Sequence, residues 1–293
     1  MFIERFTNYL QYEKRFSAHT LSAYLQDLHQ FQNFLALSET DFSSAKHHDI
    51  RSWMVEMLDK KAEPRSIQRK LSSVRAFYKF LQRETLIEVN PTLQVKAPKT
   101  PKRLPVFVED KSINSLLDSS EIFATDFSGL RDKVVMEILF GTGIRLAELI
   151  TLKESDVNLY EQSILIFGKR SKERIVPVNV SLMKLLKEYI SEKASQNFQN
   201  LSQALIVTSE GKPAYPKLIY RIVNKYLSQI STHKKKSPHV LRHSFATSML
   251  NNGADLNAIK ELLGHASLAA TQVYTHNSVE RLKTIYKQAH PRA

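Results

Sequence analysis

Six side chains, spread over four stretches of the chain, have the chemistry to act together on a phosphodiester. Arg145 stands in GTGIRLAEL, Lys169 in GKRSKER, His239 and Arg242 in PHVLRHSFATSML, and His265 and Tyr274 in LLGHASLAATQVYTH. In the first stretch the glycines turn the chain and a helix begins near Ile144. An arginine fork at a helix N-terminus suits a phosphate, and it suits equally well a pairing with Glu148 on the helix surface. Pro238 fits the first turn of a helix, which puts His239 and Arg242, three residues apart, on one face. His243, four residues from His239, raises a zinc site. Val-Leu follows His239 where a zincin needs a glutamate, however, and Arg242 would set a cation beside the metal, so no metal is expected. Lys169 and Lys172 project from a turn, a place where lysines ordinarily serve solubility. His265 follows Gly264 on a tight corner, Ser267 can cap a short helix over 268–275, and Tyr274 lies near its far end. Taken singly, Tyr274 is one of eleven tyrosines and reads as a packed aromatic.

The order and the chemical coherence of the set say more than any member. No acid cluster accompanies it to hold magnesium. Cleaving a phosphodiester without a metal requires other positive charge for the transition state, and two arginines with two histidines supply it as preorganised electrostatics. A nucleophile and an acid for the leaving oxygen are also needed. Free tyrosine has a pKa of roughly 10, so attack near neutral pH calls for a base or a strongly cationic pocket.

The composition is consistent with such a substrate. Lys and Arg total 42 against 29 Asp and Glu, a formal charge of +13, and the excess is spread over both parts of the chain. That balance points to a polyanionic partner, nucleic acid before membrane. No run of about 18 apolar residues is present to span a bilayer. The first residues include Glu4 and Arg5 and no apolar signal core, so a cytoplasmic protein is expected. With zero cysteines, disulfides, thiolate nucleophiles and Cys-ligated zinc are all excluded.

The elements that must position these residues fall into two domains, which 293 residues can accommodate. Residues 1–95 read as four amphipathic helices. Phe2, Phe6, Tyr9 and Leu10 form a first stripe; Leu21, Tyr24, Leu25, Leu28 and Phe31 a second, with Ser17 as its cap. A third starts from Asp49 as N-cap and runs through Ile50, Trp53, Met54 and Met57. The fourth follows Pro64 and buries Ile67, Leu71, Val74, Tyr78 and Leu81. Its other face carries Arg65, Gln68, Arg69, Lys70, Arg75 and Lys79, nearly free of acids, which suits DNA phosphates and groove edges. A linker over 96–105 alternates prolines with Lys96, Lys99, Lys102 and Arg103; it is extended and can track a phosphate backbone. Residues 106–293 resume with helices at about 109–117 and 129–140, the second broken by Gly141 and Gly143. SILIF and ERIVPV have the β-branched look of a hairpin around 168–172. Helix returns from Leu182, with short helices ending near Asn252, Leu263 and Thr275; Gly253, Asp255 and Gly264 punctuate them. The expected fold is mainly α with one small antiparallel sheet.

At H-x-x-R, then LGH, then YTH nine residues after that histidine, the sequence resembles the tyrosine recombinases of the phage-integrase family, and among them the Xer-type recombinases that resolve chromosome dimers. The likeness covers nearly the whole chain and is closest over SPHVLRHSFATSMLNNGADLNAIKELLGHASLAATQVYTH. It implies a C-shaped clamp around duplex DNA, made of a helical core-binding domain and an α-rich catalytic domain. It implies that Tyr274 attacks a phosphate to form a 3′-phosphotyrosyl link and that Arg145 and Arg242 stabilise the charge on that phosphate. Lys169 would protonate the departing 5′ oxygen, His239 would assist proton transfer and His265 would hydrogen-bond the phosphate. Neither metal nor cofactor is implied. Arg170 stands where relatives usually have glycine, which loosens the choice between Lys169 and Lys172 as the acid; Ser248 stands where close relatives often have histidine. Arg170 and Lys172 join Lys99, Lys102 and Arg103 as candidate DNA contacts.

SVERLKTIYKQA, within about 278–289, is amphipathic, with Val279, Leu282, Ile285 and Tyr286 on one face. Patterning alone folds it back on its own domain, whereas the resemblance implies docking on a neighbouring protomer of a synaptic tetramer. The partners implied are a double-stranded recombination site, further copies of the chain, a second Xer-type recombinase and a DNA translocase of the division machinery as activator. No small-molecule substrate is expected. An integrase of a phage or mobile element has the same chemistry, but helical patterning from Phe2 leaves no room for an arm-binding module. A DNA-binding regulator without catalysis would not need the six-residue set.

Overall fold

Apolar residues recurring every three to four positions become buried helix faces along most of the chain. The computed structural model describes residues 2–100, 107–168, 173–198, 202–232, 236–264 and 276–292, with backbone only for 276–279. The chain divides into two units, Met1–Arg103 and Leu104–Ala293.

The first unit contains helices α1 (Phe2–Asn8), α2 (Ala18–Ala36), α3 (His47–Asp59) and α4 (Pro64–Arg83), with a π-helical turn continuing α1 over Tyr9–Glu13. Ser17 caps α2 by accepting from the Thr20 N–H, as the patterning requires. α3 begins three residues earlier than expected. Asp49 is its third residue rather than its N-cap, and its carboxylate accepts from the Lys46 N–H at 2.7 Å, so the acid still satisfies a donor at the helix start. On α4, Ile67, Leu71, Val74, Tyr78 and Leu81 are all fully buried, packed with Phe6, Leu28, Phe31 and Trp53.

Among the described residues, one charge lies inside this unit. Asp27 on α2 is buried and is held by Arg69 through two bonds of 2.5 and 2.7 Å and by the Ser73 hydroxyl at 2.8 Å. A buried carboxylate is tolerated because its oxygens are occupied by donors. The chain leaving the unit also lies along α4: Arg75 donates to the Val95 carbonyl at 2.6 Å and Gln68 to the Pro98 carbonyl at 3.0 Å. Val95 is buried in the core, and Ala97 packs against it.

The second unit is built around α6 (Phe127–Thr142), whose Val134, Val135, Met136, Ile138, Leu139 and Phe140 are fully buried. A helix buried on nearly every side belongs in the middle of a core, and α6 buries Arg131, Asp132 and Glu137 along with its apolar residues. Gly141 lies within this helix and does not break it; Gly143, at φ +60°, ends it. α5 (Asp110–Asp118), α8 (Val180–Ser195) and α9 (Pro216–Ile230) pack around α6. α8 starts two residues before Leu182, where the Asn179 side chain caps it.

SILIF and ERIVP pair antiparallel as β2 (Ser163–Phe167) and β3 (Glu173–Pro177), and a two-residue β1 (Val157–Asn158) adds a third strand that the sequence pattern did not reveal. In the register Ile164 faces Val176 and Ile166 faces Arg174, and all four are buried. The β2–β3 pairing therefore presents an arginine to the core.

A smaller core joins α10 (Pro238–Asn251), α11 (Leu256–Leu263) and α12 (His276–Ala289) through Phe245, Met249, Leu262, Leu282 and Tyr286. α12 thus folds back on its own unit, as its patterning indicates. The chain end is fastened behind it. The Tyr286 hydroxyl and His290 Nε2 both donate to the Gly141 carbonyl at 2.9 Å, and His290 Nδ1 accepts from the Arg292 N–H at 3.0 Å. Val279 and the expected helix end at Thr275 lie outside the side chains and residues described.

Candidate active site

α7 (Leu146–Thr151) starts two residues later than expected because Arg145 is its N-cap and Glu148 its third residue. Glu148 accepts the Arg145 backbone N–H at 2.8 Å, and the Arg145 guanidinium donates to its other oxygen at 2.7 Å. The pairing foreseen from GTGIRLAEL is therefore present, but not as a surface pair: the Glu148 side chain is only 5 % exposed, that of Arg145 31 %. Glu148 is buried because a second arginine reaches it. Arg174 on β3 donates to both carboxylate oxygens, at 3.1 and 2.8 Å. Burial pushes the Glu148 carboxyl up, but the Arg174 and Arg145 bonds outweigh it and hold it below the ordinary glutamate value.

Arg242 lies on the first turns of α10, which Pro238 opens as its first residue. Its guanidinium is buried and donates to the Gly143 carbonyl at 2.6 Å and to Leu263 O at 2.7 Å. Burial, with Arg145 and Arg174 nearby, lowers its pKa to about 10, so it stays cationic at neutral pH. His239, one turn earlier, is exposed, as is His243.

The end of α11 is where these elements meet. Leu262 O accepts from Arg174 Nε at 2.8 Å, Leu263 O from Arg242 at 2.7 Å and Gly264 O from Arg145 at 2.9 Å. Three successive carbonyls, each without an intrahelical partner and carrying the negative end of the helix dipole, are thus taken by three guanidiniums from three elements. Glu148 is the one carboxylate bonded into the cluster among the described residues, so three positive charges meet one negative. A site with that surplus, partly buried and with Arg145 facing outward, is suited to a phosphate and to the extra negative charge of its transition state.

Among the six residues singled out from sequence, Arg145 and Arg242 converge on the α11 end, with His239 one turn away from Arg242 on α10. Lys169, His265 and Tyr274 lie outside the described residues, as do Lys102, Arg103, Arg170 and Lys172. Lys169 falls in the chain between β2 and β3, and His265 directly follows the α11 cap Gly264. Of the candidate DNA contacts, Arg65, Lys79 and Lys99 are exposed. Gln68 and Arg75 bond the chain's own backbone, Arg69 is paired to Asp27, and Lys70 contacts Gln30 and Asp27.

Arg174 was not found from sequence. Strand alternation carries the signal, since with Val176 facing the core its neighbour two residues earlier must face it as well.

Fold and site together define a two-unit, mainly helical protein with an arginine-rich cluster in the second unit that is suited to a phosphate. The phage integrase family model matches residues 107–281, and the N-terminal SAM-like domain of phage integrases matches residues 3–85. The tyrosine recombinase XerC of Chlorobaculum parvum is 38 % identical, over 99 % of this chain and 94 % of its own. XerD of Staphylococcus epidermidis is 36 % identical over 99 % of both chains. Among solved structures, the XerH site-specific recombinase bound to a palindromic difH substrate shares the fold at TM-score 0.72 and 21 % identity, over 96 % of this chain and 82 % of that one. The chain belongs to the phage integrase family and is a site-specific DNA recombinase of the tyrosine type.

Proposed function

We propose that the chain cuts and rejoins DNA through Tyr274 and serves to resolve chromosome dimers at a dif-like site during segregation and cell division. The observation that carries the chemistry is the pair Arg145 and Arg242, brought from separate helices to one helix end with a surplus of positive charge. The Tyr274 oxygen attacks the scissile phosphorus, and the bond from phosphorus to the 5′ oxygen breaks. Lys169 gives that oxygen its proton, and His239 assists proton transfer from the tyrosine. Arg145, Arg242 and His265 bear the charge on the nonbridging oxygens. The product is a 3′-phosphotyrosine and a free 5′ hydroxyl. The phosphodiester energy is retained, so another 5′ hydroxyl can reverse the attack without ATP.

Full-length similarity to both XerC and XerD supports the chromosomal role. In that role the chain acts in a synaptic tetramer that includes a second such recombinase, with a DNA translocase as activator. The exposed Arg65 and Lys79 on α4 and Lys99 beyond it, with Lys102, Arg103, Arg170 and Lys172, contact phosphates, and Gln68, Arg69, Lys70 and Arg75 are further contacts from α4. For α12 to link protomers, Leu282 and Tyr286 must leave their seats in this unit and take equivalent ones on a neighbour.

A nicked suicide duplex containing the target site tests the assignment. Wild type becomes covalently attached through a 3′ phosphate, while Tyr274→Phe binds equally well and forms no adduct. An undiminished adduct in that variant refutes it.

A further inference from the structure

We propose that Arg174 is a positioning residue for strand cleavage, which rests on the function proposed above. It is 4 % exposed and stands on β3, five residues after Lys169. From there its side chain ties three elements together: β3 itself, α7 through both oxygens of Glu148, and α11 through the Leu262 carbonyl. The strand leading out of the Lys169 segment is thereby locked to the acid that orients Arg145. It is locked as well to the helix end from which the chain runs on to His265 and Tyr274.

The chemistry of Glu148 makes this more than packing. One carboxylate is shared between two guanidiniums, one inside and one facing out. Arg174 neutralises it from the inside, so Arg145 is oriented by Glu148 without having to cancel its whole charge. With Arg174 gone, the buried carboxylate turns its full charge on Arg145, which becomes a tight ion pair less able to share its protons with a phosphate. Lysine does not replace Arg174, because a single ammonium cannot fork to both carboxylate oxygens and also reach Leu262 O.

The test compares Arg174→Lys with wild type on two suicide duplexes, one with an ordinary scissile phosphate and one with a methylphosphonate. DNA affinity is expected to stay within about twofold, since Arg174 is buried away from any DNA surface. Cleavage of the phosphate duplex is expected to fall about 10- to 100-fold, the usual effect of losing the group that orients a site residue. On the methylphosphonate the deficit is expected to shrink to below about threefold, because a neutral methyl replaces one of the two charged nonbridging oxygens and the transition state carries one negative charge fewer for Arg145 to meet. Each protein's ratio between the two substrates is independent of how much of it is folded. Arg174→Gln, which keeps a donor without the charge, gives the same comparison if the lysine variant does not fold. Equal deficits on both duplexes, or no deficit on the phosphate, overturn the inference alone. A wild type that forms no adduct overturns the proposed function as well.

Discussion

Replacing Gly143 by alanine tests whether the turn between α6 and α7 holds the site together. Gly143 sits at φ +60°, and a Cβ there would lie 2.5 Å from Phe245 Cδ1 and 2.8 Å from Leu263 Cδ2. A left-handed backbone costs a non-glycine residue roughly 1–2 kcal/mol, and forcing a methyl into a packed core typically costs about 1–3 kcal/mol more. A total of about 3 kcal/mol in a unit of this size lowers its melting temperature by about 6–12 °C. The same displacement reaches the chemistry, because the Gly143 carbonyl and Leu263 O both accept from the Arg242 guanidinium and help to aim it. Covalent adduct formation on the suicide duplex is therefore expected to fall by about 100-fold. Gly253→Ala is the control. Its φ is +87°, but nothing lies within 4 Å of the added Cβ. It should cost about 1–2 kcal/mol from the backbone alone and leave cleavage intact. Thermal melts and single-turnover cleavage of the two variants side by side give the answer. If Gly143→Ala melts within about 2 °C of Gly253→Ala and cleaves like wild type, the close packing of this turn does not position Arg242.

Two further outcomes follow from individual side chains. Burial first, and then Arg292, bring the His290 pKa from 6.5 down to about 4 even though it bonds the Gly141 carbonyl. Below pH 6.5 the unfolded chain binds a proton that the folded one refuses, so stability is lost as pH falls from 6.5 toward 4, by up to about 3 kcal/mol. Urea midpoints of wild type and His290→Gln across that range should converge by about this amount; parallel curves would contradict it. For Lys169, a 5′-bridging sulfur in the scissile bond leaves without a proton, so Lys169→Ala should regain most of its lost rate on that substrate. Equal slowness on both substrates assigns the acid elsewhere, with Lys172 the next to test.

Much of the framework was legible in the residues. The α2 and α4 stripes, the Ser17 and Asp255 caps and the SILIF–ERIVP hairpin depend on interactions between near neighbours in the chain, which local pattern records. The misplacements were local as well. Asp49 serves its helix from the third position rather than from the cap, and Gly141 continues α6 because its backbone stays helical among buried neighbours.

The sequence by itself determined the family, through the spacing of His239, Arg242, His265 and Tyr274, and it pointed to Arg145 as a phosphate ligand with Glu148 beside it. Only the tertiary structure decided how that pair works. Glu148 is buried and shared with Arg174, and the carbonyls of Leu262, Leu263 and Gly264 each receive one arginine. Arg174 and Glu148 are 26 residues apart, Arg145 and Gly264 119. A helix end attracts whichever guanidiniums the fold brings to it, and no local periodicity encodes which ones those are.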